Sequence, residues 1–134
     1  MIAEPSELDE LLAVVREWFR LLAVEGWNEA TGMLDEPNGY GIRWTPAEIR
    51  RALDLAYQPG CRSRIAHPEG PRFSDPDSAV GVPEADAWAL DDGSGYRVDY
   101  DVPLNGSWSD LTAQFEFLRR PGGLAIVLHD LHVL

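Results

Sequence analysis

The chain has 134 residues, enough for one domain (residues 1–134) with a single core, and 45% of them are hydrophobic. Eleven basic residues, all of them arginine, oppose 23 acidic residues and give a formal net charge of -12. A field of this sign repels phosphate backbones, which argues against nucleic acid as a ligand, whereas a basic protein partner is compatible with it.

Cysteine content and the start of the chain predict a reducing cytoplasm. Cys61 is the only cysteine, so no internal disulfide can form. The first residues lack the regions of a signal peptide, and the longest apolar run, residues 124–128, is too short to span a membrane. Arginine without lysine, together with abundant alanine, glycine and proline, indicates a GC-rich bacterial genome.

Two helices are predicted near the N-terminus. The first begins with Ser6 as its N-cap residue, continues with acidic residues and an apolar stripe at helical spacing, and ends at Gly26. A second, short helix is predicted over residues 27–34, and a turn follows it at residues 35–39.

A complete helix start lies at Thr45, after a brief strand predicted over residues 40–44. Thr45 is the predicted N-cap residue, Pro46 occupies the first helical position and Glu48 the third. This third helix is predicted to run to about Tyr57. The stretch from Cys61 to Val80 shows no periodicity and is predicted to be a loop.

The last third of the chain is predicted to form four antiparallel strands. An Asn-Gly pair at residues 105–106 separates two alternating runs, and this pair favours a hairpin because both residues accept positive φ. With this turn Leu104 pairs with Ser107, and Tyr100 pairs with Leu111.

The next two turns extend the predicted sheet. A loop over residues 120–123 sets Phe117 opposite Ile126 and places the apolar residues of both hairpins on one face, whereas a one-residue slip would invert every side chain. A looser turn over residues 91–95 puts Trp88 on the same face.

Helices followed by a meander of strands predict an α+β fold, with the N-terminal helices on one face of a curved antiparallel sheet. This order resembles the cone-shaped NTF2-like (SnoaL-like) superfamily, and a cystatin-like sheet is the alternative. Residues 101–112 (DVPLNGSWSDLT) and 128–134 (LHDLHVL) also resemble an uncharacterised family of small bacterial proteins. The NTF2-like resemblance implies that the sheet can pair into a homodimer.

The predicted pairing places two polar side chains of the last strand on the apolar face. Asp130 falls beside Ala113, and His132 falls beside Leu111, with Tyr100 one strand further along. A carboxylate, an imidazole and a phenol in an apolar pocket suit acid-base chemistry, because desolvation shifts their pKa values. Enzymes of the NTF2-like superfamily hold Asp, His and Tyr in such a cone. The candidate catalytic residues are Tyr100, Asp130 and His132, and Trp18 joins them as candidate ligand-binding residues.

The opposite face of the meander is predicted to be acidic. The candidate partner-binding residues are four carboxylates and a tryptophan predicted to be partly exposed beside the Asn-Gly turn: Asp99, Asp101, Asp110, Glu116 and Trp108. The predicted pairing sets Asp101 directly opposite Asp110, which is unfavourable unless solvent or a partner neutralises the pair.

No cofactor and no metal site are predicted. His129 and His132 are three residues apart, so on a regular strand they point to opposite faces. The sequence favours a non-enzymatic binding protein, such as an immunity protein or antitoxin. The alternative is a small-molecule pocket protein or an isomerase, dehydratase or cyclase of the SnoaL kind.

Overall fold

The computed structural model describes residues 1–57 and 70–134, and Cys61 lies outside them. Within these two ranges, three helices precede four strands, and the strands form one antiparallel sheet in which neighbours follow chain order. The predicted α+β class is therefore confirmed. The elements are α1 (Asp9–Ala23), α2 (Trp27–Gly32), α3 (Pro46–Ala56), β1 (Ala85–Ala89), β2 (Gly95–Leu104), β3 (Ser107–Arg120) and β4 (Gly123–Val133).

The helix starts agree with the sequence prediction at α3 and differ from it at α1. The Thr45 hydroxyl accepts a hydrogen bond from the backbone N–H of Glu48 at 3.2 Å, as the predicted cap requires. Ser6 caps nothing, because α1 begins at Asp9 and a carboxylate oxygen of Glu10 accepts the N–H groups of Ser6 and Glu7 instead. The predicted strand over residues 40–44 does not form.

The apolar stripe of α1 packs on one face of the sheet. Trp18 meets Phe115 of β3 edge-to-face at 5.1 Å between ring centroids, and Phe19 meets Tyr100 of β2 in the same way at 5.4 Å. All four side chains are buried. Within the described ranges, no helix combines the length and the apolar character needed to cross a membrane.

The β2–β3 hairpin turns where the sequence predicts, but an irregularity changes its pairing further from the turn. Asn105 has φ of 53° and Leu104 pairs with Ser107. Beyond the break between Asp101 and Pro103, Tyr100 pairs with Ala113 instead of Leu111. The shift is two residues, so the apolar residues stay on the same face and only their partners change.

The β3–β4 hairpin contains a one-residue bulge with a larger consequence. Phe115 pairs with Leu128 as predicted, but the next pair is Gln114 with Asp130, so His129 is the extra residue of β4. Because side chains alternate along a strand, one extra residue exchanges the two faces for everything that follows it. Leu131 is consequently the buried residue at this end of β4.

The predicted position of Trp88 is also wrong by one residue. Trp88 pairs with Arg97, and its neighbour Ala87 pairs with the buried Val98. The Trp88 side chain therefore lies on the face away from the helices and is 37% exposed.

Candidate functional site

Asp130 and His132 lie together, but on the opposite side of β4 from the predicted one. Asp130 pairs with Gln114 and His132 pairs with Thr112, so neither lies beside Ala113 or Leu111. The predicted positions of Asp130 and His132 require side chains to alternate without interruption along β4, and the bulge at His129 interrupts this alternation. His132 Nδ1 lies 3.1 Å from a carboxylate oxygen of Asp130, but the two atoms are not aligned for a hydrogen bond.

These two side chains line a groove of about 590 Å³ between α3 and the end of β4, named here the α3–β4 groove. Its size lies within the usual range for ligand pockets, of the order of 300–1,000 Å³. Most of its lining is apolar, and its polar members are Glu48, Arg51, Asp130 and His132. The apolar lining comprises Ile42, Trp44, Ala52, Leu55, Ala56, Leu131 and Val133.

Tyr100 and Trp18, the other candidate ligand-binding residues, do not reach the α3–β4 groove. Trp18 is fully buried and donates its ring N–H to the carbonyl oxygen of Ala30 at 3.1 Å. Tyr100 is buried on the helix side of the sheet, where its hydroxyl accepts a hydrogen bond from Arg16 at 2.8 Å. The structure thus brings together Asp130 and His132 of the predicted set and separates Tyr100 and Trp18 from them.

Arg16 belongs to a small ionic cluster outside the groove. One of its nitrogens lies 2.7 Å from a carboxylate oxygen of Asp77, and Arg20 contacts the same carboxylate. Hydrogen bonds from Arg20 and Arg16 lower the pKa of Asp77 from 3.8 to about 2. The hydrogen bond to Tyr100 is the largest cause of the raised pKa of Arg16. This cluster joins α1 to the segment before β1.

The sheet face away from the helices carries carboxylates from all four strands. Three cross-strand rows follow from the register: Trp88, Arg97, Glu116 and Val127; Asp86, Asp99, Gln114 and Asp130; Asp101, Thr112 and His132. We name the five carboxylates of these rows, Asp86, Asp99, Asp101, Glu116 and Asp130, the acidic face. Within these three rows of described strand residues, the one guanidinium is that of Arg97.

Three neighbouring groups lie close to these carboxylates. Arg97 Nε lies 3.7 Å from an Asp99 carboxylate oxygen, and His129 Nδ1 lies 3.3 Å from one of Glu116. Asp101 accepts the backbone N–H of Glu84 at 2.8 Å. If both histidines are neutral, the acidic face and Arg97 together carry a net charge of -4, from five carboxylates and one guanidinium.

Two predictions for partner-binding residues are corrected. Asp101 pairs with Thr112, so it does not oppose Asp110, which lies in the irregular stretch of β3. Trp108 is only 9% exposed, stacks on Tyr100 at 5.8 Å between centroids and donates its ring N–H to the Gly81 carbonyl oxygen. The segment around Gly81 covers this tryptophan, which the isolated hairpin could not reveal.

Sequence reasoning missed the α3 side of the groove. Glu48 was assigned only to the helix cap, and Arg51 was not singled out. The sequence does contain a signal for the bulge. Leu128 and Leu131 are both apolar and three residues apart, and a regular strand cannot bury both on one face. Both are buried.

Among residues 1–57 and 70–134, no group of three or more His, Cys, Asp or Glu side chains is placed to hold a metal ion. Comparison with protein-family models, curated proteins and solved structures finds no match.

Proposed function

We propose that this chain is a non-enzymatic binding protein, of the immunity-protein or antitoxin type, that engages a cationic protein through the acidic face. The observation that carries the proposal is the convergence of five carboxylates from four adjacent strands, with Arg97 as the one arginine in the same three strand rows. A rigid sheet holds them at fixed spacing, so a partner with matching positive charges meets a preorganised surface.

The overall charge supports the same proposal. A net charge of -12 accelerates the approach of a basic protein and disfavours acidic competitors. An NTF2-like arrangement in a cytoplasmic bacterial protein remains part of the proposal, and the packing of the helices on one face of the antiparallel sheet is compatible with it.

The experiment compares two variants that lose the same number of negative charges. The face variant combines Asp86→Asn, Asp99→Asn and Glu116→Gln, and the control variant combines Glu7→Gln, Glu25→Gln and Asp54→Asn outside the sheet. Tagged wild-type protein is used to capture partners from cells that carry the gene, and the captured protein is then purified for affinity measurements.

We expect wild type and control to bind the same basic protein, and the face variant to bind it at least about tenfold more weakly. The affinity of the wild type should also fall as salt is raised, because salt screens exposed charges. Equal affinities of the face and control variants, or a captured partner that is acidic, would reject the proposal.

A second candidate function is small-molecule binding in the α3–β4 groove. The proximity of Asp130 and His132 favours it, because a carboxylate and an imidazole beside an apolar lining can both hydrogen-bond a ligand hydroxyl or amine. Native mass spectrometry of the freshly purified protein tests this function. A bound small molecule that is lost in a His132→Ala variant supports it, and an unliganded mass for both proteins rejects it.

A further inference from the structure

The α3–β4 groove combines apolar walls with exposed apolar side chains. Leu55 on α3 is 61% exposed, Val133 of β4 is 42% exposed and Ile42 is 39% exposed, and all three line the groove. Exposed large apolar residues that cluster in a concavity cost free energy in water and commonly mark an interaction site. The groove therefore offers apolar surface that a partner can cover.

The groove and the acidic face meet along β4. Asp130 lines the groove and is also the outermost carboxylate in the row that contains Gln114 and Asp99. His132 lines the groove as well and continues the row of Thr112 and Asp101. A polypeptide that crosses β4 can thus contact both surfaces without a gap between them.

We propose that the α3–β4 groove receives apolar side chains of the same cationic partner, so that the partner's binding segment carries apolar residues flanked by arginine or lysine. This inference rests on the proposed function, whose partner it defines more closely. Exposed ion pairs contribute little affinity because water and salt screen them. Burial of apolar side chains in a preformed groove supplies the affinity that the charged contacts lack.

The shape of the groove favours a protein segment over a small molecule. Small-molecule sites usually enclose most of the ligand's surface. Here Leu55 is 61% exposed and Val133 is 42% exposed, so a small ligand between them would stay partly in solvent, whereas a protein partner covers the side chains and the groove together.

The test uses two synthetic peptides of equal length and equal positive charge. One alternates leucine and arginine clusters, and the other has glutamine in place of every leucine. Each is titrated by calorimetry into wild type, into a groove variant (Leu55→Gln with Val133→Thr) and into a control variant (Val24→Thr with Val82→Thr). The substituted side chains are all exposed, so folding should be preserved, and circular dichroism checks this.

We expect the wild type and the control variant to bind the leucine peptide on the order of tenfold more tightly than the glutamine peptide. The groove variant should bind both peptides with the weaker affinity. NMR chemical-shift changes on the wild type should include the backbone signals of Ala52, Leu55 and Leu131.

The remaining outcomes separate the two proposals. Equal affinity of wild type for both peptides, or a leucine preference that survives in the groove variant, overturns the groove inference and leaves the proposed function in place. If neither peptide binds the wild type, the inference is overturned and the result counts against the proposed function as well. A wild-type dimer in light scattering that the groove variant abolishes assigns the groove to a second copy of this chain and overturns the inference.

Discussion

The hydroxyl of the buried Tyr100 accepts a hydrogen bond from Nη1 of Arg16 at 2.8 Å, and this bond links β2 to α1. The ring of the same tyrosine packs against Phe19 and Trp108. Arg16 extends the connection to Asp77. These contacts assign Tyr100 to the core, in a position where no polar ligand from the α3–β4 groove can reach it.

Replacing Tyr100 with phenylalanine should therefore lower the free energy of unfolding by about 1 kcal/mol, since one buried hydrogen bond is lost while the ring packing remains. Urea unfolding measures the change. Tyr40→Phe is the control, because the Tyr40 side chain is exposed and should show no effect. A loss of binding to the leucine and arginine peptide, without a loss of stability, would instead return Tyr100 to a binding role.

Asp77 should titrate far below an ordinary aspartate. Its pKa is lowered to about 2 by hydrogen bonds from Arg20 and Arg16. The folded state holds the charged form more tightly than the unfolded state, so the resulting stabilisation is present above pH 3.8 and is lost as the pH falls through about 2.

Carboxyl-carbon NMR of the folded protein measures this titration directly. We expect a midpoint near 2 in the wild type and a return towards 3.8 when Arg16 and Arg20 are both replaced with glutamine. Thermal melting should show Asp77→Asn less stable than wild type at neutral pH and indistinguishable from it below about pH 2. A wild-type midpoint at 3.8 would mean that the cluster does not form in solution.

Asn38 should hold in place the chain segment that contains Ile42 and forms one wall of the α3–β4 groove. Its amide donates to the His129 carbonyl oxygen at 3.0 Å, and its side-chain oxygen accepts the N–H groups of Tyr40 and Ile42. Asn38→Ala should cost about 1–3 kcal/mol of unfolding free energy, because three partly buried backbone groups lose their partners.

Chemical denaturation checks this value, and Asn28→Ala on the exposed surface of α2 should stay within about 0.5 kcal/mol of wild type. The Asn38 variant should also weaken binding of the leucine peptide, since Ile42 lines the groove. If the Asn38→Ala variant were as stable as the wild type, water molecules would have to replace these hydrogen bonds.

Gly95 should tolerate no side chain. Its φ is 152°, and a Cβ atom there would overlap the carbonyl oxygen of Phe117 on the paired strand. Gly95→Ala should destabilise the protein by at least about 3 kcal/mol, because backbone rather than a flexible side chain must move. At Gly32, where a Cβ meets nothing, alanine should be neutral or stabilising by up to about 1 kcal/mol. Similar melting temperatures for the two variants would contradict this account.

Local chemistry determined much of the fold from the sequence alone. The cap at Thr45 and the positive φ of Asn105 follow from residues within a few positions of one another, and the pairing of Phe115 with Leu128 follows from the turn between their strands. Conformational preferences of single residues and the alternation of side chains suffice for such features.

The position of the site depended on the tertiary structure. The extra residue at His129 turned Asp130 and His132 away from the core, and the segment around Gly81 buried Trp108. A bulge leaves its extra residue unpaired in the strand ladder, and here Asn38, 91 residues earlier in the chain, donates to the His129 carbonyl oxygen. Alternation along one strand contains no information about such a partner, so only the folded chain could decide which face carries the polar residues.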